Sequence, residues 1–145
     1  MMYSEIDLQC EDLLWFGVDR ARRIFSCTTA GQGNVPLFVC RSREETELLA
    51  DYFLEQLPES TEENLLIDRR DTLQAEAAVR LSRKGVCCYD LLDVRDPAKG
   101  YRLIAFPSAA ITLDRLPEQI RRVLSDHVVD ADVSAEIVIR VPHAY

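Results

Sequence analysis

LLWFGVDRARRIFSCTTAGQGNVP, residues 13–36, is the stretch that decides the fold. Trp15, Phe16 and Val18 favour extended backbone, so residues 13–18 read as a strand. Residues 19–22 supply a turn, and residues 23–29, with Ile24, Phe25, Cys27 and two threonines, read as the returning strand of a hairpin. Trp15 and Phe16 fall on opposite faces, which predicts one in the core and the other exposed, where an aromatic can anchor a partner. The loop Ala30-Gly31-Gln32-Gly33-Asn34-Val35-Pro36 follows, and a shaped loop on a rigid sheet is where binding residues gather. Leu37–Cys40 is then a short apolar run, a third strand or a lead-in to the next element.

Working outward, Ser42 followed by Glu45 has capping-box spacing, and Leu48, Leu49, Tyr52, Phe53 and Leu57 recur on one helical face. This predicts an amphipathic helix ending near Pro58. Residues 58–64 are polar and acidic and read as a loop, after which residues 71–84 regain helical spacing through Leu73, Ala77 and Leu81 before Gly85. Residues 86–94 and 101–106 flank Asp96-Pro97 and Gly100, which are turn formers, and make a second hairpin. Pro117 at the first helical position, with Glu118 next, opens a helix that turns Ile120, Val123 and Leu124 inward and ends near Asp126. In residues 136–141 the consecutive Ile137, Val138 and Ile139 predict a strand buried on both faces. The order β-β-α-α-β-β-α-β implies an α+β fold, with a mostly antiparallel sheet of about five strands and about three helices packed on one face.

A chain of 145 residues, 48% of them hydrophobic, suits a single domain over residues 1–145. No basic leader opens it, and no apolar run approaches the roughly 20 residues of a membrane span, so a cytoplasmic protein without membrane contact is expected. The five cysteines, at 10, 27, 40, 87 and 88, show no CxxC pair, which fits a reducing compartment better than a disulfide framework or a zinc site.

Charge is the second signal. Residues 43–68 hold nine acids against one base, Arg43, a balance of −8 that equals the formal charge of the whole chain. Glu47, Asp51 and Glu55 follow at i, i+4 and i+8 along one line of the first long helix, and each like-charge step costs about 0.2–0.5 kcal/mol. Glu44 and Glu45 near the helix N-terminus are favoured by its dipole. Such a line is either a solvated face or a surface complementary to a basic partner protein, and it disfavours contact with nucleic acid.

The Trp15-Phe16-Gly17-Val18-Asp19 strand, the loop from Thr28 to Pro36, and the later Tyr101 to Pro107 and Leu116-Pro117 resemble a family of small bacterial proteins with a WFxVD strand and a GxGxxP-like loop. The chain departs from that pattern at Arg22, where the family places glycine, which leaves the turn type open. Members of this sort are similar to immunity proteins of bacterial toxin systems, so the resemblance implies a binding protein without chemistry of its own.

The motifs themselves carry no reaction. Gly31 and Gly33 lack the helix that a phosphate-binding fingerprint opens at once, since Val35-Pro36 and then extended chain without a third glycine are expected to follow. The histidines, His127 and His143, stand in no nucleophile motif, and His127 is explained by the favourable dipole at a helix C-terminus. Of Cys87 and Cys88, one should point inward as a small apolar residue and one outward. Asp90, Asp93 and Asp96 near a turn serve the local backbone more simply than a metal. No catalytic residue, metal ligand or cofactor is therefore assigned. The expected activity is protein binding, through Gly31, Gly33, Asn34, Glu44, Glu47, Asp51 and Glu55. Alternatives are a small ligand-binding protein or enzyme using residues 31–36, and a homodimer.

Overall fold

The computed structural model describes residues 1–31, 35–68 and 72–145, so Gly33 and Asn34 lie outside the described residues. Strands β1 (Leu14–Val18) and β2 (Ile24–Thr28) form the antiparallel hairpin expected of the opening stretch, with Trp15 opposite Cys27 and Gly17 opposite Phe25. Glycine is required at 17 because any Cβ there would meet the Phe25 ring at 2.5 Å. The turn holds Arg22 in an unusual backbone conformation. That residue adopts φ 63°, the left-handed region in which glycine is favoured, and its N–H is donated to the Asp19 carbonyl at 3.0 Å.

The sheet runs β1-β2-β4-β5-β3, where β3 is Glu63–Leu65, β4 Cys87–Leu91 and β5 Tyr101–Pro107, and β6 (Val138–Ile139) also pairs with β5. Every pairing is antiparallel except β2 with β4, which is parallel because the chain crosses between them through helices instead of a tight turn. Residues 58–64 are thus not wholly a loop: their end enters β3, which pairs with residues 105–107 of β5.

Five α-helices accompany the sheet among the described residues, two of them unexpected. Helix α1 (Glu5–Cys10) starts at a capping box formed by Ser4 and Asp7. The apolar run Leu37–Cys40 is helix α2, one turn long, entered from Pro36. Helix α3 (Arg43–Asp51) begins at the expected cap, with Ser42 Oγ accepting the Glu45 N–H at 3.1 Å, and continues as a π-helical turn, Tyr52–Gln56. That wider turn offers its carbonyls to a buried cation. Lys84 Nζ donates to Phe53 O at 2.6 Å and to Leu54 O at 2.8 Å, and burial pushes the Lys84 ammonium pKa below its ordinary value. Helix α4 (Thr72–Ser82) turns Ala75, Ala78, Val79 and Leu81 inward, so Ala77 is exposed where the spacing had placed it inside, and Leu73 lies among the side chains outside the description. Helix α5 (Glu118–Leu124) buries Ile120 and Leu124 as expected.

The longer helices pack on one face, but the opposite face is covered too. Phe16, Ile24, Cys88 and Ile104 meet Leu49, Phe53, Leu81 and Leu124 on the first. Trp15, Phe25, Cys27, Tyr89 and Tyr101 are sealed on the second by Leu8 of α1, Val39 of α2 and the C-terminal residues Val129, Val133 and Val141. Trp15 and Phe16 are consequently both buried, at 1% and 0% exposure, and neither is an exposed anchor. Cys87 and Cys88 likewise point to opposite faces and are both buried. The two aromatic centres differ in geometry: Trp15 makes edge contacts with Phe25, Phe38 and Tyr101, whereas Phe16 stacks on Phe53 at 4.4 Å.

The C-terminal strand is shorter and more exposed than its composition suggests. Only Val138 and Ile139 pair, Ile137 is 62% exposed, and Ile139 alone enters the core. Ile137 and Val138 both face water because the regular pairing begins only at Val138, and burial on both faces needs cover that this edge lacks.

Candidate functional site

Helix α3 presents the acidic line that its spacing implies. Glu47, Asp51 and Glu55 are all exposed. Glu55 reaches Arg80 at 3.9 Å, while neither Glu47 nor Asp51 forms an ion pair with any described residue. Glu44 binds the N-terminal ammonium at 2.6 Å, which lowers its carboxyl pKa. Farther along, Arg83 clasps Glu63 through Nε at 3.0 Å and approaches Glu59 at 3.6 Å. Part of the acidity of residues 43–68 is therefore neutralised locally, and on the outer line of α3 Glu47 and Asp51 keep their charge without an ion pair among the described residues.

Arg43, the one base of that stretch, turns away from its own helix. Its guanidinium forks onto Glu11 at 2.7 and 3.0 Å and lies 4.1 Å above the Tyr3 ring, tying α3 to α1. The loop reaches α1 from the other side: Asp12 accepts the Ala30 N–H at 2.9 Å, and a Cβ added at Gly31 would stand 3.9 Å from the Gln9 carbonyl. Gly31 and the α3 helix thus share α1 as a common neighbour, and α1, α2 and the Arg43 fork stand between the loop and the carboxylates that the sequence names together for binding.

A second constellation is one that sequence reasoning missed. A cleft of about 360 Å³ opens between the start of α3 and the end of α5, lined by Phe38, Arg41, Glu45, Arg122, Asp126 and His127 among others. His127 forms its base at 4% exposure, stacked on Phe38 at 4.4 Å with its Nδ1 3.1 Å from the Phe16 carbonyl. A carbonyl can only accept, so Nδ1 carries the proton and Nε2 a lone pair. The same residue's carbonyl accepts the Val18 N–H at 2.9 Å, so His127 closes the free edge of β1 by both main chain and ring.

Helix-dipole charge stabilisation, expected from its sequence position, is outweighed here by burial. Loss of solvent lowers the His127 pKa, against smaller raising effects of the Phe16 hydrogen bond and of Asp126, while Arg41 lowers it further. The unfolded chain then takes up a proton near the ordinary histidine pKa of about 6.5, before the folded chain does, so stability falls as pH drops through that value. His127→Asn, whose amide can still donate to Phe16, should lose less stability between neutral and mildly acidic pH than the wild-type chain. Urea unfolding of both across that range checks this; parallel losses would contradict it.

The thiols are placed as core groups. Cys27, Cys40, Cys87 and Cys88 are buried, and desolvation raises all four, Cys87 and Cys88 to about 12, which keeps them protonated and poorly nucleophilic. Of the turn aspartates, Asp93 accepts from the Arg95 N–H at 2.9 Å and from Lys99 Nζ at 3.1 Å, with its pKa lowered by the first bond foremost. Asp90 accepts from Thr28 Oγ1 at 2.5 Å, and burial raises its pKa. Among the described residues no group of three or more His, Cys, Asp or Glu side chains is arranged to hold a metal ion, and no helix is long and apolar enough to cross a membrane. No protein-family model, no curated protein and no solved structure matches the chain.

Proposed function

We propose that this is a non-catalytic binding protein of the immunity or accessory type, which engages a basic partner through the carboxylates of α3. The observation that carries the reading is the exposed pair Glu47 and Asp51, one helical turn apart and without an ion pair among the described residues, on a helix whose single base is spent on α1. Like charges at this spacing cost the free helix stability, a cost that a cationic partner converts into attraction. Glu44 and Glu55 flank the pair on the same helix and its π-turn and extend the surface at the rim, and Gly31 stands beyond α1; Gly33 and Asn34, named with them from the sequence, lie outside the described residues. Free thiols fit the reducing cytoplasm in which such a protein would act.

The test compares proteins captured from the native cell by the wild-type chain and by the triple variant E47Q/D51N/E55Q. The variant should be as stable as wild type or slightly more so, by up to about 0.5 kcal/mol for each relieved repulsion. A strongly basic protein retained by the wild type and reduced about tenfold or more on the variant is the expected result. Equal retention on both, or self-association as the only outcome, overturns the reading.

A further inference from the structure

Charged side chains of both signs ring the His127 cleft without pairing across it. Arg41 at the end of α2, Glu45 on α3 and Asp126 beyond α5 each lack an ion pair with any described residue. Arg122 stands four residues before Asp126, a spacing at which ion pairs form on helices, yet it bonds back to Glu118 at 2.9 Å. Beneath them, His127 offers the Nε2 lone pair left by its bond to Phe16, and no described residue donates to it. A simple anion placed here gains from the two guanidinium groups and loses to the two carboxylates, and a simple cation does the reverse. Only a ligand bearing both charges gains at both sides.

We propose that this cleft binds a small zwitterion of the amino-acid class, its carboxylate held by Arg41 and Arg122 and its ammonium by Glu45, Asp126 and the Nε2 of His127. The cleft volume of about 360 Å³ is that of a small-ligand site. Phe38 and Val123 supply apolar wall for the ligand's carbon skeleton. The site stands on the opposite end of α3 from Glu55 and does not depend on partner binding by the acidic line.

Titration of the full chain with glycine, β-alanine, 4-aminobutyrate and 6-aminohexanoate, followed by backbone amide NMR, varies the charge separation in steps. Butyrate and butylamine serve as singly charged controls. The expected result is saturable shifts at Arg41, Glu45, Asp126 and His127 for at least one member of the series, with Kd below about 10 mM. Both controls should bind about tenfold more weakly, and R41Q and D126N should each weaken the zwitterion about tenfold. Either control matching the zwitterions, unchanged affinity in both variants, or no saturable shift with any of the four overturns the proposal. Both substituted side chains are exposed, and the discrimination among ligands by the wild-type chain holds without the variants.

Discussion

Asp19→Ala should destabilise the fold by about 3–5 kcal/mol, because one buried carboxylate satisfies three backbone donors. Asp19 Oδ1 accepts from Ala21 N at 2.9 Å and Arg23 N at 2.8 Å, and Oδ2 accepts from Val133 N at 3.0 Å. Arg23 lies 3.5 Å from Oδ2, close enough to balance the charge, and the Asp19 side chain is fully buried. The first two bonds shape the β1–β2 turn and the third pins the C-terminal segment against it. Alanine leaves all three donors without an acceptor and uncouples two parts of the chain more than a hundred residues apart. Asparagine, which keeps one carbonyl oxygen, should fall between alanine and wild type. Urea unfolding measures the loss; a deficit for alanine under about 1 kcal/mol would show that water or another group replaces the carboxylate.

Gly100→Ala should cost about 2–4 kcal/mol through two separate effects. Gly100 holds φ 94°, which an L side chain rarely adopts, and a Cβ there would stand 2.2 Å from the Ile139 carbonyl oxygen. That oxygen belongs to β6, so the strand must shift or detach from β5. Detachment would open residues 136–145 to limited proteolysis well before global unfolding. Gly31→Ala is the contrasting case: its φ of 73° is also left-handed, but among the described residues nothing lies nearer than 3.9 Å, so the backbone strain of about 1 kcal/mol is the expected cost. Equal stability of the two variants would contradict the close approach at Gly100.

What the sequence made legible was local. The first hairpin, the Ser42 cap and the second hairpin rest on β-branched runs, a side-chain cap and turn residues whose effects act within a few positions. Helix α1 was also within reach, since Ser4 and Asp7 have capping spacing, but six residues carry too little periodicity to show a helix. Leu37–Cys40 shows the same limit, because four apolar residues fit a strand and a helical turn equally well. The parallel β2–β4 pairing and the covering of the second sheet face depend on contacts between distant segments. Hence Trp15 and Phe16, and Cys87 and Cys88, take opposite faces as their alternation predicts, while the burial of both faces comes from distant segments. The same reason hid the His127 cleft, which joins α2, α3 and α5: no spacing in the chain brings Arg41, Glu45 and Asp126 together.

The α3 surface and the His127 cleft make different demands on solution conditions. The proposed cleft ligand would be held by a matched pair of charges at short range, whereas the proposed partner of α3 would be attracted by an excess of one sign that is open to screening. Dissociation constants for the captured basic partner, measured from about 0.05 to 0.5 M monovalent salt, therefore bear directly on how the protein works. Binding through Glu47 and Asp51 predicts a Kd that rises about tenfold or more over that range, whereas an affinity indifferent to salt would contradict recognition by the acidic face.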